Sequence, residues 1–328
     1  MSNRFRAQLV KAAQQSYNGL IKAEVNLPED VASMKIGIPR SLFYYKHPKL
    51  WTTFFSELGQ EVVLSPPTNR LLLEAAVRYG EDESCLAVKL VFGHISHLMD
   101  KCDRVFAPAY YGLQPGRYSC PKFLGVPDIS KSVFDRDIGF LRCEVDDGEF
   151  EPGMIELGRQ LTRDQSRLKH AVASSLQAQA EYKRDLHARY EEQLVSEKPK
   201  ILIVGHHYVI HDSYANLDVL KKLKERGMEV ITIDSVPADP RDSFLQWDFA
   251  YETMGQLQEV LSHDIAGTII LSNFNCGVDA ITVPFVEDEM ERHDVPCMHL
   301  VLDEHTGEAG LITRVDTFVD TVKMRKRA

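Results

Sequence analysis

The sequence predicts an α/β fold made of two parallel-sheet units, and three observations carry that prediction. Short apolar runs alternate with segments of helical apolar spacing, the pattern of strand–helix–strand units. The connections between them are short. A polar, charge-dense, helix-rich stretch over residues 151–195 separates one alternating half from the other. At 328 residues the chain also exceeds what one small core needs. The expected organisation is a helical leader over 1–33, a first α/β domain over 34–150, a helical bridge over 151–198 and a second α/β domain over 199–328.

Each element follows from local pattern. The N-terminus reads as an amphipathic helix and a polar joint, without the hydrophobic core of a signal segment. MKIGIPR (34–40) reads as the first strand. Trp51, Phe54, Phe55 and Leu58 have helical spacing and stop at Gly59. EVVLSP (61–66) is a second strand, and Asn69 to Tyr79 a second helix. Residues 83–103 are mostly helical, with Cys85 at the front. Arg104 to Ala107 is a strand running into an aromatic loop, and Cys120 stands directly before a proline, which suits the first turn of a helix. FLRCEV, with Cys143, reads as a strand. The second half opens with KILIVG (200–205), then a polar loop GHHYVIHDSYAN, a helix over Leu217–Arg226 and the strand MEVITID (228–234). A helix over 253–262, a strand over 267–271, a helix over 281–292, a strand Met298–Leu302 and a helix Leu311–Met324 complete it. The long polar stretch reads as a solvated bridging helix.

Composition is 44% hydrophobic and 26% charged, that of a soluble globular protein, and the formal net charge is -10. An acidic surface argues against nucleic-acid or anionic-membrane partners, and no apolar run is long enough to span a bilayer. The expected location is the cytoplasm. There disulfides are improbable, so each of the six cysteines is core filler or chemistry.

Cys276 lies in SNFNCGVD (272–279), between a strand end and a helix start, where free backbone N–H groups and the helix dipole favour a thiolate. Cys85 opens a helix and Cys120 sits in a loop after a strand. The three share a setting at the carboxyl ends of strands, where open α/β sheets bind ligands. Small buried thiols at turns are the plainer reading of the same residues. Cys102, Cys143 and Cys297 read as structural.

Other candidates for chemistry are His94, beside Gly93 on the helix that Cys85 opens, and the cluster His206, His207, His211 and Asp212. Asp303, Glu304, His305 and Glu308 follow the last strand. His94, His207, Glu304 and His305 are the candidate catalytic groups, with a satisfied core histidine, a polar surface loop and a shaped helix cap as their plainer readings. Lys89 and Arg314 are candidates for an anionic substrate group, or for pairing with nearby carboxylates. His-His-x-x-x-His is not a zincin spacing.

The stretches IGIPRSLFYYKHPKLWTTFFSELGQEVVLS (36–65), ESCLAVKLVFGHI (83–95), YSCPKFLGVPDI (118–129), SNFNCGVDAIT (272–282) and DEHTGEAGLITRVDTFVD (303–320) carry a resemblance. The chain resembles the activase-related family allied to 2-hydroxyacyl-CoA dehydratases and double-cubane-cluster proteins. That resemblance implies flavodoxin-like or Rossmann-like domains and a 4Fe-4S cluster held by three cysteines with one iron open. By motif position the ligands are Cys85, Cys120 and Cys276. It also implies low-potential electrons from a separate ATP-dependent activator, spent on radical dehydration or reduction of an acyl-CoA or other small substrate. The enzyme would then be an (R)-2-hydroxyacyl-CoA dehydratase-like lyase or a reductase subunit, paired as a homo- or heterodimer with a related subunit. No G-x-x-x-x-G-K-[ST] or G-x-G-x-x-G loop is visible, so the activator's nucleotide site is not expected in this chain. Three ligand candidates suit a single cubane better than a double cubane within one chain, and a pair shared between subunits stays open. The readings from other classes are a non-catalytic cluster-carrying electron-transfer or assembly partner, and a metal-free two-domain binder.

Overall fold

A computed structural model describes residues 33–134, 139–237 and 245–325; the expected leader helix lies outside these, apart from residue 33. The fold is mixed α/β with two four-stranded parallel sheets, as the strand–helix alternation predicts.

The first sheet holds β1 (Lys35–Ile38), β2 (Glu61–Leu64), β3 (Arg104–Phe106) and β5 (Phe140–Leu141) in the order β2-β1-β3-β5. Its connections run through α1 (Pro48–Glu57), α2 (Arg70–Tyr79), α3 (Leu86–Leu98) and α4 (Pro121–Val133). Asn69 caps α2 by accepting from the N–H groups of Leu71 and Leu72. Helices α2 and α3 cross tightly at Gly93, where a Cβ would stand 2.3 Å from the Leu72 carbonyl oxygen. FLRCEV is not one strand. It divides into β5 and a second piece, β6 (Glu144–Val145), which pairs with β4 (Ala109–Tyr110), while Ala107, Ala109 and Tyr111 donate in turn to the carbonyls of Leu141, Cys143 and Val145. Cys143 is buried in that break.

The second sheet holds β7 (Lys200–Gly205), β8 (Glu229–Thr232), β9 (Gly267–Asn273) and β10 (Cys297–Leu302) in the order β8-β7-β9-β10. Strands β7 and β9 are buried along nearly their whole length and read as continuous apolar runs, as central parallel strands do. Helices α8 (Val219–Glu225), α9 (Asp248–Val260), α10 (Gly277–Arg292) and α11 (Glu308–Arg325) flank it.

The polar stretch between the sheets forms α5 (Glu151–Gly158) and the 30-residue α6 (Gln165–Leu194). Helix α6 is not wholly solvated. It buries Leu168, Ala171, Val172 and Ser175, one stripe at helical spacing, and runs beside α1. Further along, Gln179 accepts from the Leu50 N–H (3.2 Å), His187 meets the Ser235 carbonyl (3.2 Å) and Gln193 donates to the Val230 carbonyl (2.6 Å). One helix therefore touches both sheet units.

Two further elements depart from the sequence reading. The loop after β7 contains a helical turn, α7 (His207–Ile210), and a 3-10 turn at Leu42–Tyr44 follows β1. Among the described residues no helix is long and apolar enough to cross a membrane.

Candidate metal centre

In each sheet the order reverses beside the first strand, between β1 and β3 and between β7 and β9. Loops leaving the carboxyl ends at such a switch point splay apart and open a crevice. Here the thiols of Cys85, Cys120 and Cys276, drawn from both sheet units, come close enough to act on one another and on Tyr208 after β7.

All three are helix N-caps. Cys85 precedes α3, Cys120 precedes α4 with Pro121 in its first turn, and Cys276 precedes α10. Asn275, at φ +61°, makes the turn from β9, a conformation Asn tolerates better than most residues. First-turn N–H groups have no intrahelical acceptor; here they reach sulfur, with Asp279 N–H 3.5 Å from Cys276 Sγ. The N–H of Val88 serves Cys85 likewise, and those of Lys122 and Phe123 serve Cys120.

These N–H groups do not make standing thiolates. Burial pushes all three thiols above the ordinary range, Cys276 furthest. The carboxylate of Asp279 faces each sulfur and adds to the rise, as does the approach of Cys120 to Cys85 and of Cys85 to Cys276. The helix-start setting therefore does not favour the thiolate as its position in the sequence suggests; desolvation outweighs it. A bound cation reverses the balance, since it supplies the charge that three clustered thiolates need.

His206 joins the site from the end of β7. Its ring lies between Tyr208 (centroids 4.8 Å apart) and Phe249 (3.7 Å). A His206 ring nitrogen, the Cys276 sulfur and an Asp279 oxygen all lie within 4.8 Å of one another. Nε2 of His206 stands 3.2 Å from Asp279 Oδ1, yet the geometry is not that of a hydrogen bond, and this buried nitrogen has no hydrogen-bond partner. Three soft sulfurs, N–H groups directed at them and an orphaned imidazole nitrogen form a donor set suited to a thiolate-bound metal or iron–sulfur cluster.

The site is framed by bonds between the two sheet units. The Asp248 carboxylate accepts from the N–H groups of Leu113 (2.9 Å) and Gln114 (3.2 Å) and from Ser119 Oγ (2.6 Å), pinning the loop that presents Cys120. Lys46 pairs with Glu252 at 2.5 Å and Lys89 with Glu304 at 2.5 Å.

The remaining candidates separate. His94 is wholly buried, with Nδ1 2.7 Å from Ser65 Oγ and Nε2 3.0 Å from Thr68 Oγ1; burial holds it down at about 3. Thr68 in turn donates to Asp212, whose other oxygen accepts from the N–H groups of Tyr214 and Ala215. His94, itself uncharged, thus belongs to a hydrogen-bond network that ends on the Asp212 carboxylate and joins the two units. His211 lies 2.6 Å from Asp234; burial opposes its charge, but that carboxylate raises it. His207 lines a cavity of about 540 Å³ with Lys46, Lys183, Asp234 and Glu252, and burial lowers it to about 3. His207 and Lys46 also line a narrow aromatic space of about 40 Å³ that reaches Cys120 and His206. Glu304 is taken by Lys89. His305 is exposed in a turn shaped by Asp303 and Thr306. Glu308 pairs with Lys222 (2.8 Å), and Arg314 donates to the His299 carbonyl (2.5 Å). Cys102 packs against Gly37, and Cys297 is exposed at the start of β10.

Sequence reasoning missed Lys46, Glu252 and Asp248, whose partners lie between 129 and 206 residues away. Asp279 stood inside the stretch around Cys276, and its helix-start position was the available signal.

A family model described as "CoA enzyme activase uncharacterised domain" matches residues 35–236. The matched span includes Cys85, Cys120, His206 and His207 and stops before Cys276. No curated protein matches the chain. Among solved structures it is similar to a zinc(II)-bound AdcAII variant of Streptococcus pneumoniae, at 11% identity over 88% of this chain and 98% of that one, with a TM-score of 0.28. It is also similar to tagatose-6-phosphate ketose/aldose isomerase of Escherichia coli, at 9% identity over 96% and 86%, with a TM-score of 0.24. Likenesses of that size bear on neither fold detail nor chemistry.

Proposed function

Since the chain belongs to the family of the CoA enzyme activase uncharacterised domain, we propose that it is an iron–sulfur redox protein related to 2-hydroxyacyl-CoA dehydratase subunits. It holds a 4Fe-4S cluster through Cys85, Cys120 and Cys276, and a separate ATP-dependent activator supplies it with low-potential electrons. It acts in the cytoplasm, paired with a second copy or a related subunit. The observation that carries this reading is the meeting of three N-cap thiols from both sheet units in one crevice.

A bound cluster supplies one-electron chemistry and, at an iron without a thiolate, a Lewis-acidic position. The chain supplies the rest. First-turn N–H groups stabilise thiolate charge, and Tyr208 and Phe249 supply aromatic surface against His206. The neighbouring cavity has room for the head of an acyl-CoA or another small molecule. His207, held neutral at its wall, can hydrogen-bond a bound molecule there, with Lys183 beside it for an anionic group.

Anaerobic purification with iron and sulfide quantification tests the reading. About four irons and four sulfides per chain are expected, lost in each of Cys85→Ser, Cys120→Ser and Cys276→Ser but kept in Cys102→Ser and Cys297→Ser. Iron-free protein that resists reconstitution would overturn it in favour of a metal-free binder. Turnover with activator, ATP and reductant then separates an enzyme from a cluster-carrying partner.

A further inference from the structure

Cys85, Cys120 and Cys276 are each half-buried, so the centre they form reaches the surface of the molecule. We propose that the surface around them is a docking face for a basic redox protein, which meets an apolar centre and an acidic margin there. The inference rests on the cluster reading above for its purpose, but the face can be tested without a cluster.

The apolar centre comes from residues beside the thiols. Phe274 is 57% exposed, Ile281 41% and Tyr118 39%. Single apolar side chains on a surface need no explanation, but each of these stands within five residues of Cys120 or Cys276. Phe274 follows β9 directly, held by its N–H to the Leu302 carbonyl at 2.9 Å, and Ile281 lies one turn into α10. Local structure thus keeps them at the rim rather than folding them in. Aromatic side chains are enriched among the anchors of protein interfaces.

The acidic margin comes from two segments tied to the same centre. Glu81, Asp82 and Glu83 are exposed just before Cys85. Asp303 opens the turn after β10, and its neighbour Glu304 reaches Lys89 on α3 at 2.5 Å. The lysine and arginine nearest the rim turn back onto the protein. Lys122 donates to Ser84 Oγ at 2.7 Å, and Arg117 lies over the Tyr251 ring at 4.4 Å. The carboxylates at 81–83 are left facing solvent.

A second copy does not suit such a face, because it would bring the same carboxylates on a chain of net charge -10. A cationic partner does, since opposite charge speeds encounter and fixes orientation. An electron exchanged here has a short path: Tyr118 and Phe274 each stand two residues from a thiol-bearing position.

The probe for the test is ferric cytochrome c, a basic redox protein. Carbodiimide joins carboxylates to amines in contact, so cross-linking the probe to the full-length chain as purified, followed by peptide mapping, reads the face alone. Most links are expected at Glu81, Asp82, Glu83 and Asp303, and they should vanish when the lysines of the probe are acetylated. Most links elsewhere, or none, would overturn the docking face and leave the cluster reading intact. In the reconstituted, reduced protein one electron passes from the cluster to the ferric haem. Its second-order rate should fall about tenfold between about 10 and 200 mM salt. A similar fall at low salt is expected in the combined variant Glu81→Gln, Asp82→Asn, Glu83→Gln. Phe274→Ala should lower the rate without altering its salt dependence, and Glu191→Gln with Glu192→Gln, on α6, should change neither rate nor iron content. A rate indifferent to salt, or lowered equally by the rim and α6 variants, would also overturn the inference. A chain that binds no cluster would overturn the cluster reading, while the cross-links still decide the face.

Discussion

The acid–base state of the three thiols before any metal binds can be worked from competing effects. A helix N-terminus stabilises an anion by about 0.3–1 kcal/mol at an exposed end. At 1.36 kcal/mol per pKa unit that lowers a thiol by less than one unit. Against it stand burial at Cys85, Cys120 and Cys276, the Asp279 carboxylate, and the presence of each sulfur beside another. The balance leaves every thiol above its ordinary value. An ordinary thiol near 8.5 is about one-tenth ionised at pH 7.5, and each further unit of elevation divides that fraction by about ten. Alkylation consumes the thiolate, so the logarithm of its rate with iodoacetamide follows that fraction whatever the absolute accessibility. Peptide mass spectrometry of the folded, metal-free protein between pH 6.5 and 9 is the assay. The three cysteines should each gain about a decade of rate per pH unit up to pH 8 and still be rising there, because each is raised above its ordinary value. A plateau below pH 8 at any of them would refute the argument that desolvation outweighs the helix ends. Loading the metal should then protect all three, because the sulfurs become ligands.

Two further outcomes follow from the surroundings of the site. Burial lowers His94 and His207 to about 3, whereas an unfolded histidine titrates near 6.5; as pH falls through 6.5 the unfolded chain takes up protons that the folded one refuses. Each histidine therefore removes about 1.4 kcal/mol of stability per pH unit between roughly pH 5.5 and 4, levelling near 3. Urea midpoints at pH 6.5, 5.5 and 4.5 should show a slope shallower by one proton in His94→Gln, and an unchanged slope would contradict the assignment. Lys89 and Glu304 are 5% and 14% exposed as a pair. Lys89→Met leaves a half-buried carboxylate unpaired and should cost about 1–3 kcal/mol in urea denaturation, part of which Glu304→Gln should restore in the double variant; simple additivity would show the pair to be uncoupled.

Periodicity made most of the fold legible because central parallel strands must be apolar throughout and the helices flanking them must alternate. KILIVG and GTIIL could be nothing else in this context. The failures have local causes. GHHYVIHD looks like a polar loop, yet Tyr208, Val209 and Ile210 turn inward as α7 because the crevice is lined with aromatic rings. FLRCEV is apolar enough for one strand, yet it pairs in two short pieces, β5 with β3 and β6 with β4. At the site, Pro121 after Cys120 and the glycine after Cys276 marked helix starts, so the positions of the thiols were readable. Their protonation was not, since the burial that sets it comes from residues of both halves. Nor could a run of histidines reveal that His206, His207 and His211 go to three different places. Each direction depends on where the β7 chain end sits against the other sheet unit.

That last point bears on how the centre is kept in register. Cys85 and Cys120 belong to one sheet unit, Cys276 and His206 to the other, so neither half alone holds a complete donor set. Their relative positions are set by the contacts that cross between halves: Asp248 on the 113–119 loop, Lys46 with Glu252, Lys89 with Glu304, and Thr68 with Asp212. These polar links join the two halves, while α6 hydrogen-bonds to both units. Buried ionic links contribute little net stability when compared with apolar packing, but they are directional, and a slip at one of them leaves a charge unpaired. A metal bound between the halves is then both held by the interface and a clamp upon it, because whatever binds only the closed arrangement stabilises that arrangement. The same argument makes the interface a route for control: a partner that strains these links need not touch the three thiols to alter their spacing.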